Sequence, residues 1–131
     1  MTINYEYSDS ENIVYTRPFD TLTITDFVQY VGWLQDDSAI RSGFVEVVDF
    51  SAVRNFVLSY NDSWSMRQVF EKLRQQKGYA GSVLIGSNDY LYGMARMFES
   101  ALGDSVILGV TRTFEDAKML VSSARNSSSF A

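Results

Sequence analysis

The chain has 131 residues, of which 46% are hydrophobic and 21% charged, a balance typical of one soluble globular domain. Its formal net charge of −5 disfavours nucleic acid and anionic lipid surfaces as partners. The absence of His and Cys excludes Ser-His and Cys-His catalysis, zinc-thiolate sites and disulfides, so we expect no cofactor and no metal site.

The N-terminal segment predicts a β-hairpin followed by a helix. Residues 3–7 alternate between apolar or aromatic and polar side chains, residues 8–10 have turn chemistry, and residues 13–16 favour a strand that stops before Pro18. From Thr23 the apolar residues recur with a helical period, and Thr23 and Asp26 have the spacing of a capping box. The first helix is therefore predicted to run from Thr23 to about residues 35–37.

Strands and helices alternate through the rest of the chain. Residues 44–49 and 82–85 read as buried strands, and residues 106–110 as the last strand. The helices between and after them are predicted to begin at Ser65, at Asn88 or Asp89, and at Thr113, and the first of these closes at Lys77-Gly78.

The resulting order is β-β-α-β-α-β-α-β-α, which predicts one α/β domain over residues 1–125 with a mostly parallel sheet, a hairpin at one side and four helices. Residues 126–131 are predicted to form a Ser-rich flexible tail. Sites in such sheets form where strand C-termini meet helix N-termini, which places residues 49–65, 86–89 and 111–113 on the candidate rim.

Two local patterns lie on this rim. Residues 86–99 read Gly-Ser-Asn-Asp-Tyr-Leu-Tyr-Gly-Met-Ala-Arg-Met-Phe-Glu, and residues 49–53 read Asp-Phe-Ser-Ala-Val, followed by Asp62-Ser63. Together with the element order, they resemble the SpoIIAA-like branch of STAS domains, the fold of anti-sigma factor antagonists. The resemblance implies a non-enzymatic bacterial module that binds a protein or a small apolar ligand. It also makes Ser63 a candidate phosphorylation site, with helix capping as the alternative role of Ser63 and Ser65.

The third helix carries the predicted partner-binding residues. Its apolar residues span an arc of about 160°, wider than the ~100° needed to face a sheet, so its margin at Tyr90 and Met97 is expected to reach a cavity or another subunit. On the other side Arg96 is expected to stack on Tyr92 and to pair with Glu99. Core packing of the margin and a solvated charged face are the alternatives. The mid-helix glycine at position 93 predicts a close approach to the backbone.

Aromatic residues make up 15% of the chain, which motivates a second hypothesis: a carrier of a small apolar or lipid-like ligand. The candidate pocket walls are Phe27, Trp33, Trp64, Phe70, Tyr90, Met97 and Phe98. A third hypothesis, an enzyme built from Asp49, Asp89, Arg96, Glu99 and tyrosines, is disfavoured because a strand end and a helix cap explain both aspartates.

The leading prediction is a non-enzymatic STAS-like interaction or regulatory module that binds a protein partner or self-associates. No uninterrupted apolar run reaches the ~18 residues of a membrane helix, and residues 1–10 lack the features of a signal peptide. We therefore expect no membrane span and a cytoplasmic location.

Overall fold

The computed structural model describes residues 2–127 of the chain. Its strands are β1 (Ile3–Ser8), β2 (Ile13–Thr23), β3 (Val45–Asp49), β4 (Ala52–Val57), β5 (Gly81–Ile85) and β6 (Ile107–Thr111). Its helices are α1 (Ile24–Asp36), α2 (Tyr60–Lys77), α3 (Asp89–Leu102) and α4 (Phe114–Arg125).

The strands form a sheet in the order β1-β2-β3-β5-β6, and β4 pairs with the second half of β2. Only β1 and β2 are antiparallel among the pairs of the described residues; β2–β3, β2–β4, β3–β5 and β5–β6 are parallel. Helices α1, α2 and α3 bury their apolar residues in one core cluster, whereas α4 packs on the opposite face against β3, β5 and β6. This architecture confirms the predicted α/β class with a mostly parallel sheet and four helices.

The predicted caps of three helices are confirmed by their geometry. Thr23, Asn88 and Thr113 each have extended backbone angles. The side chain of each accepts a hydrogen bond from the backbone N–H three residues later. At the third helix the cap is Asn88 and not Asp89, which lies in the first turn. Each cap satisfies an N–H that the helix itself leaves without a partner.

The start of α2 was predicted wrongly. The helix begins at Tyr60, where Ser59 and Asp62 form a complete capping box, so Ser65 lies inside the helix and caps nothing. The strand β4 just before it was also missed. The alternation of buried and exposed residues in β4 is broken, because Arg54 and Asn55 are both exposed. The segment therefore lacks the two-residue period by which a half-buried strand is recognised.

Strand β2 does not stop before Pro18 but continues to Thr23. Strand β3 pairs only with residues Ile13 to Thr16, so a missing N–H at Pro18 removes no hydrogen bond from that ladder. From Phe19 onward β2 pairs with β4; the φ angle of Asp20 is 57°, and the register shifts between Asp20 and Thr21. Of the predicted tail, Asn126 and Ser127 donate backbone hydrogen bonds to carbonyls of α4, and residues 128–131 lie outside the described residues.

Candidate functional site

Large apolar side chains are exposed along the surface shared by α2, α3 and the end of β4. Five of them are between 55% and 80% exposed: Val57, Tyr60, Trp64, Tyr90 and Met97. We call these five residues the α2–α3 patch. Exposed apolar side chains scattered singly are ordinary, whereas contiguous apolar patches are typical of interaction surfaces.

Four of the five patch residues, Tyr60, Trp64, Tyr90 and Met97, are related by a shared groove or by helical register. Tyr60, Trp64 and Met97 line one open groove of ≈ 480 Å³. Tyr90 lies on the same flank of α3 as Met97, because seven residues make almost two helical turns of about 3.6 residues each. Tyr90 also contacts Phe56 of β4, with ring centroids 6.3 Å apart.

A cluster of aromatic rings packs beneath Tyr90 of the patch. Phe50, Phe56 and Phe98 contact one another with centroid distances of 5.4–5.8 Å. Phe50 is buried, and Phe56 and Phe98 are half-buried between it and the surface. Packed rings of this kind leave few rotamers open, so the exposed Tyr90 stands on a rigid base.

Arg67 joins α2 to the end of α3 within the groove. Its Nη2 donates to the backbone oxygen of Ala101 at 3.1 Å, and its guanidinium lies 6.0 Å from the ring centroid of Trp64. A cation near the carbonyl end of a helix is favourable because the last carbonyl groups carry a partial negative charge. The cationic side chain of the groove is therefore engaged within the chain.

The structure divides the predicted partner-binding residues between two flanks of α3. Tyr90 and Met97 lie in the patch, while Arg96 pairs with Glu99 at 3.1 Å on another side of the helix. The predicted stacking of Arg96 on Tyr92 is wrong. Arg112 takes that position, 4.3 Å from the ring centroid of Tyr92.

Arg112 also donates to Asp89 at 2.7 Å, which fixes it over the start of α3. The expected close approach to Gly93 is likewise wrong within the described residues. A Cβ placed there would have nothing within 4 Å. Packing among residues 2–127 therefore does not explain the glycine at this position.

Ser63 was expected before the second helix but lies in its first turn. Its Oγ donates to the backbone oxygen of Tyr60 at 2.6 Å, a local bond typical of Ser and Thr within helices. Ser63 also lines the groove together with Arg67, the position one helical turn later. Its role as a phosphorylation site stays a prediction.

The acidic residues of the rim do not converge. Asp49 accepts hydrogen bonds from the backbone N–H and hydroxyl of Ser51, and Asp89 is paired with Arg112. Within residues 2–127 there is no group of three or more acidic residues placed to hold a metal ion. None of the helices described is long and apolar enough to cross a bilayer.

The interior contains one cavity relevant to the carrier hypothesis. Of the seven predicted wall residues, Phe27, Phe70 and Phe98 line it. The other four do not, and three of these lie on the surface instead: Trp64, Tyr90 and Met97; the fourth is Trp33. The volume of the cavity is ≈ 50 Å³. At roughly 10–15 Å³ per water on this measure, the space holds a few water molecules and no lipid-like ligand.

Five side chains beside this cavity form a buried polar cluster: Thr16, Tyr30, Glu46, Tyr79 and Ser82. Ser82 donates to Glu46 Oε1 at 2.5 Å, and the hydroxyl of Tyr30 donates to Glu46 Oε2. Thr16 lies 2.5 Å from the Tyr30 hydroxyl, and Tyr79 lies 2.5 Å from that of Ser82. The cluster links α1, β2, β3 and β5 through hydrogen bonds alone.

Glu46 is 2% exposed, and this burial raises the pKa of its carboxyl above the ordinary value. The hydrogen bonds from Ser82, Tyr30 and Thr16 act in the opposite direction. Sequence reasoning missed this residue. The available signal was a lone Glu within the otherwise apolar run of residues 44–48.

Comparison with known proteins supports the fold. The structure is similar to that of an uncharacterised DUF3478-family protein with a SpoIIAA-like fold from Shewanella loihica PV-4, at a TM-score of 0.58 and 17% identity over 89% of this chain and 90% of that one. A sulfate transporter family protein from Wolinella succinogenes matches at a TM-score of 0.48 and 18% identity, over 85% of this chain and 88% of its own. No protein-family model and no curated protein matches the sequence. The chain thus has a SpoIIAA-like fold, as its sequence predicts.

Proposed function

We propose that this chain is a non-enzymatic protein-interaction module and that the α2–α3 patch is its contact surface. The observation that carries the proposal is the grouping of Tyr60, Trp64, Tyr90 and Met97 on one side of the molecule, each more than half exposed. Tyr, Trp and Met are enriched at protein interfaces, and Trp and Tyr are prominent among the residues that dominate binding energy.

Two further features support an interaction role. Tyr90 packs on a cluster of aromatic rings, so docking requires little ordering of that side chain and loses little conformational entropy there. The STAS resemblance also implies a module that acts by contact rather than by catalysis. The predicted residues Tyr92, Arg96 and Glu99 lie on another flank of α3, and we assign the main contact to the α2 side.

Site-specific photo-crosslinking in the source cells tests this proposal. A photoreactive residue replaces Met97 in one variant and Met119 in another. Met119 is the matched control, because it is a helical methionine of similar exposure, 66% against 63%, on α4 at the opposite face. We expect protein adducts from position 97 and few from position 119. Equal adducts from both positions, or none from position 97, would reject the patch as the contact surface.

A further inference from the structure

The α2–α3 patch has a composition that points to one kind of occupant. The groove within it is lined by Tyr60, Ser63, Trp64, Arg67, Met97, Ser100 and Ala101, a set without a carboxylate. All of the acidic residues behind the formal net charge of −5 therefore lie outside the groove lining. The cationic side chain of the groove, Arg67, contacts the Trp64 ring and donates a hydrogen bond to the Ala101 carbonyl.

We infer that the partner of the patch is a second copy of this chain, docked patch to patch about a two-fold axis. This inference rests on the proposed function and names its partner. A two-fold interface places the same surface on both sides, so it must be complementary to itself. An aromatic and apolar surface meets this condition, whereas a surface with unpaired charges of one sign does not.

Charge also argues against a strongly charged partner. An acidic or basic peptide is selected by opposite charges on its receptor. In the groove, the single charged side chain is already bound to groups of its own chain, and the neighbouring Arg96 is paired with Glu99. A second copy needs no such charges.

The exposed area is of the order that a dimer needs. One aromatic side chain offers ~150–250 Å², so Tyr60, Trp64 and Tyr90 at their exposed fractions present roughly 400 Å² together. Val57 and Met97 add apolar area, and the Ser63 and Ser100 side of the groove supplies a polar rim. A stable interface buries about 800 Å² per partner, and its apolar centre is only part of that area.

The inference predicts the sign of the salt dependence. Two chains that each carry −5 repel one another at long range, and salt screens this repulsion. If apolar contacts hold the dimer, added salt should tighten association. A dimer held by ion pairs between the copies would weaken instead.

Sedimentation equilibrium of the purified chain at low and high salt tests the inference. We expect a monomer–dimer equilibrium that shifts towards dimer with salt. Met97→Asp should raise the dissociation constant of the dimer by at least about tenfold, the effect of losing one dominant interface residue. Tyr60→Asp is a second variant, since the wild-type side chain is 80% exposed and tolerates a polar replacement in the folded chain. Met119→Asp should leave the equilibrium unchanged.

A chain that stays monomeric at all concentrations, or a dimer that only Met119→Asp disrupts, overturns the inference. These failures are distinguishable from failure of the proposed function. A monomeric chain that still forms adducts with a different protein from position 97 keeps the proposed function and removes the second copy. A monomeric chain without adducts from position 97 removes both.

Discussion

The buried polar cluster and the α2–α3 patch both depart from the usual placement of side chains. The cluster puts polar groups in the interior, and the patch puts apolar groups on the surface. In the cluster, a carboxyl group and four hydroxyl groups lie inside the domain, with Glu46 at 2% exposure. In the patch, large aromatic side chains face solvent, with Tyr60 at 80% exposure. Both placements cost free energy unless other groups compensate for them.

The two regions differ in where that compensation comes from. Among the described residues, every buried side-chain nitrogen and oxygen has a hydrogen-bond partner, so the cluster is complete within the chain. The patch has no covering element in the described part of the chain. The cluster accordingly stabilises the fold, whereas the patch is the surface that we propose for contact with another molecule.

Removal of the central carboxyl group should have the largest effect on stability. Glu46→Ala takes the acceptor from the hydroxyl groups of Tyr30 and Ser82 and leaves a void beside the existing cavity. We expect a loss of about 3 kcal/mol in the free energy of unfolding, measured by urea denaturation. Glu71→Ala, which removes a surface partner of Arg74, is the control and should cost under about 1 kcal/mol. Equal losses in Glu46→Ala and Glu71→Ala would show that the buried cluster contributes no more to stability than a surface ion pair.

The pH dependence of stability provides the next test. Because the folded-state pKa of Glu46 is raised, its protonated form is favoured in the folded chain. Its contribution is complete below the unfolded-state pKa of 4.5 and is lost as pH rises through the folded-state pKa. The stability of the wild type minus that of Glu46→Gln should therefore fall above this pH, by at most about 1.4 kcal/mol per pH unit.

Subtracting the stability of Glu46→Gln from that of the wild type removes the contribution of Glu11 to the pH dependence. The hydrogen bond from Lys118 lowers the pKa of that carboxyl, so its contribution is present at higher pH and is lost as pH falls. This contribution is common to both proteins. A difference that stays constant, or that rises with pH, would contradict the assignment of Glu46.

A substitution beside the patch should have a smaller effect on stability, and of opposite sign. Gly93→Ala should stabilise the chain by up to about 1 kcal/mol, because Ala is the better helix former and no group lies within 4 Å of the added methyl. Gly32→Ala in α1 is a matched control, since that glycine is also mid-helix and open. Thermal melting measures both. A gain at position 32 without one at position 93 would show that Gly93 has a structural role.

The smallest effect is expected within the patch itself. At concentrations where the chain is monomeric, Tyr60→Asp should change the free energy of unfolding by less than about 0.5 kcal/mol, because the side chain is largely solvated already. Chemical denaturation of dilute protein measures it. A loss comparable to that of Glu46→Ala would place Tyr60 in the core and end the contrast between the two regions.

The sequence predicts the fold better than either of these regions. Caps such as Asn88 and Thr113 are local, so their spacing alone locates the helices. The α3 half of the patch follows from an apolar arc wider than one sheet requires. The α2 half could not be predicted, because the helix was expected to start at Ser65. That start leaves Tyr60 and Trp64 outside the helix, so their position relative to Met97 is undefined.

The buried polar cluster could not be predicted for a different reason. Its members come from α1, β2, β3, β5 and the segment before β5, so their hydrogen bonds join residues far apart in sequence. No local period encodes such a set. The strand around Glu46 still reads as buried because Val45, Val47 and Val48 are apolar.

Strand β2 has two halves with different neighbours, and this division should set how the domain opens. Ile13 to Thr16 lie between β1 and β3, whereas Phe19 to Thr23, a stretch that contains the irregularity at Asp20, pair with β4. Amides of the first half are therefore expected to exchange with solvent deuterium only through global unfolding. Those of the second half can exchange when β4 detaches, so one continuous strand spans two cooperative units of different stability.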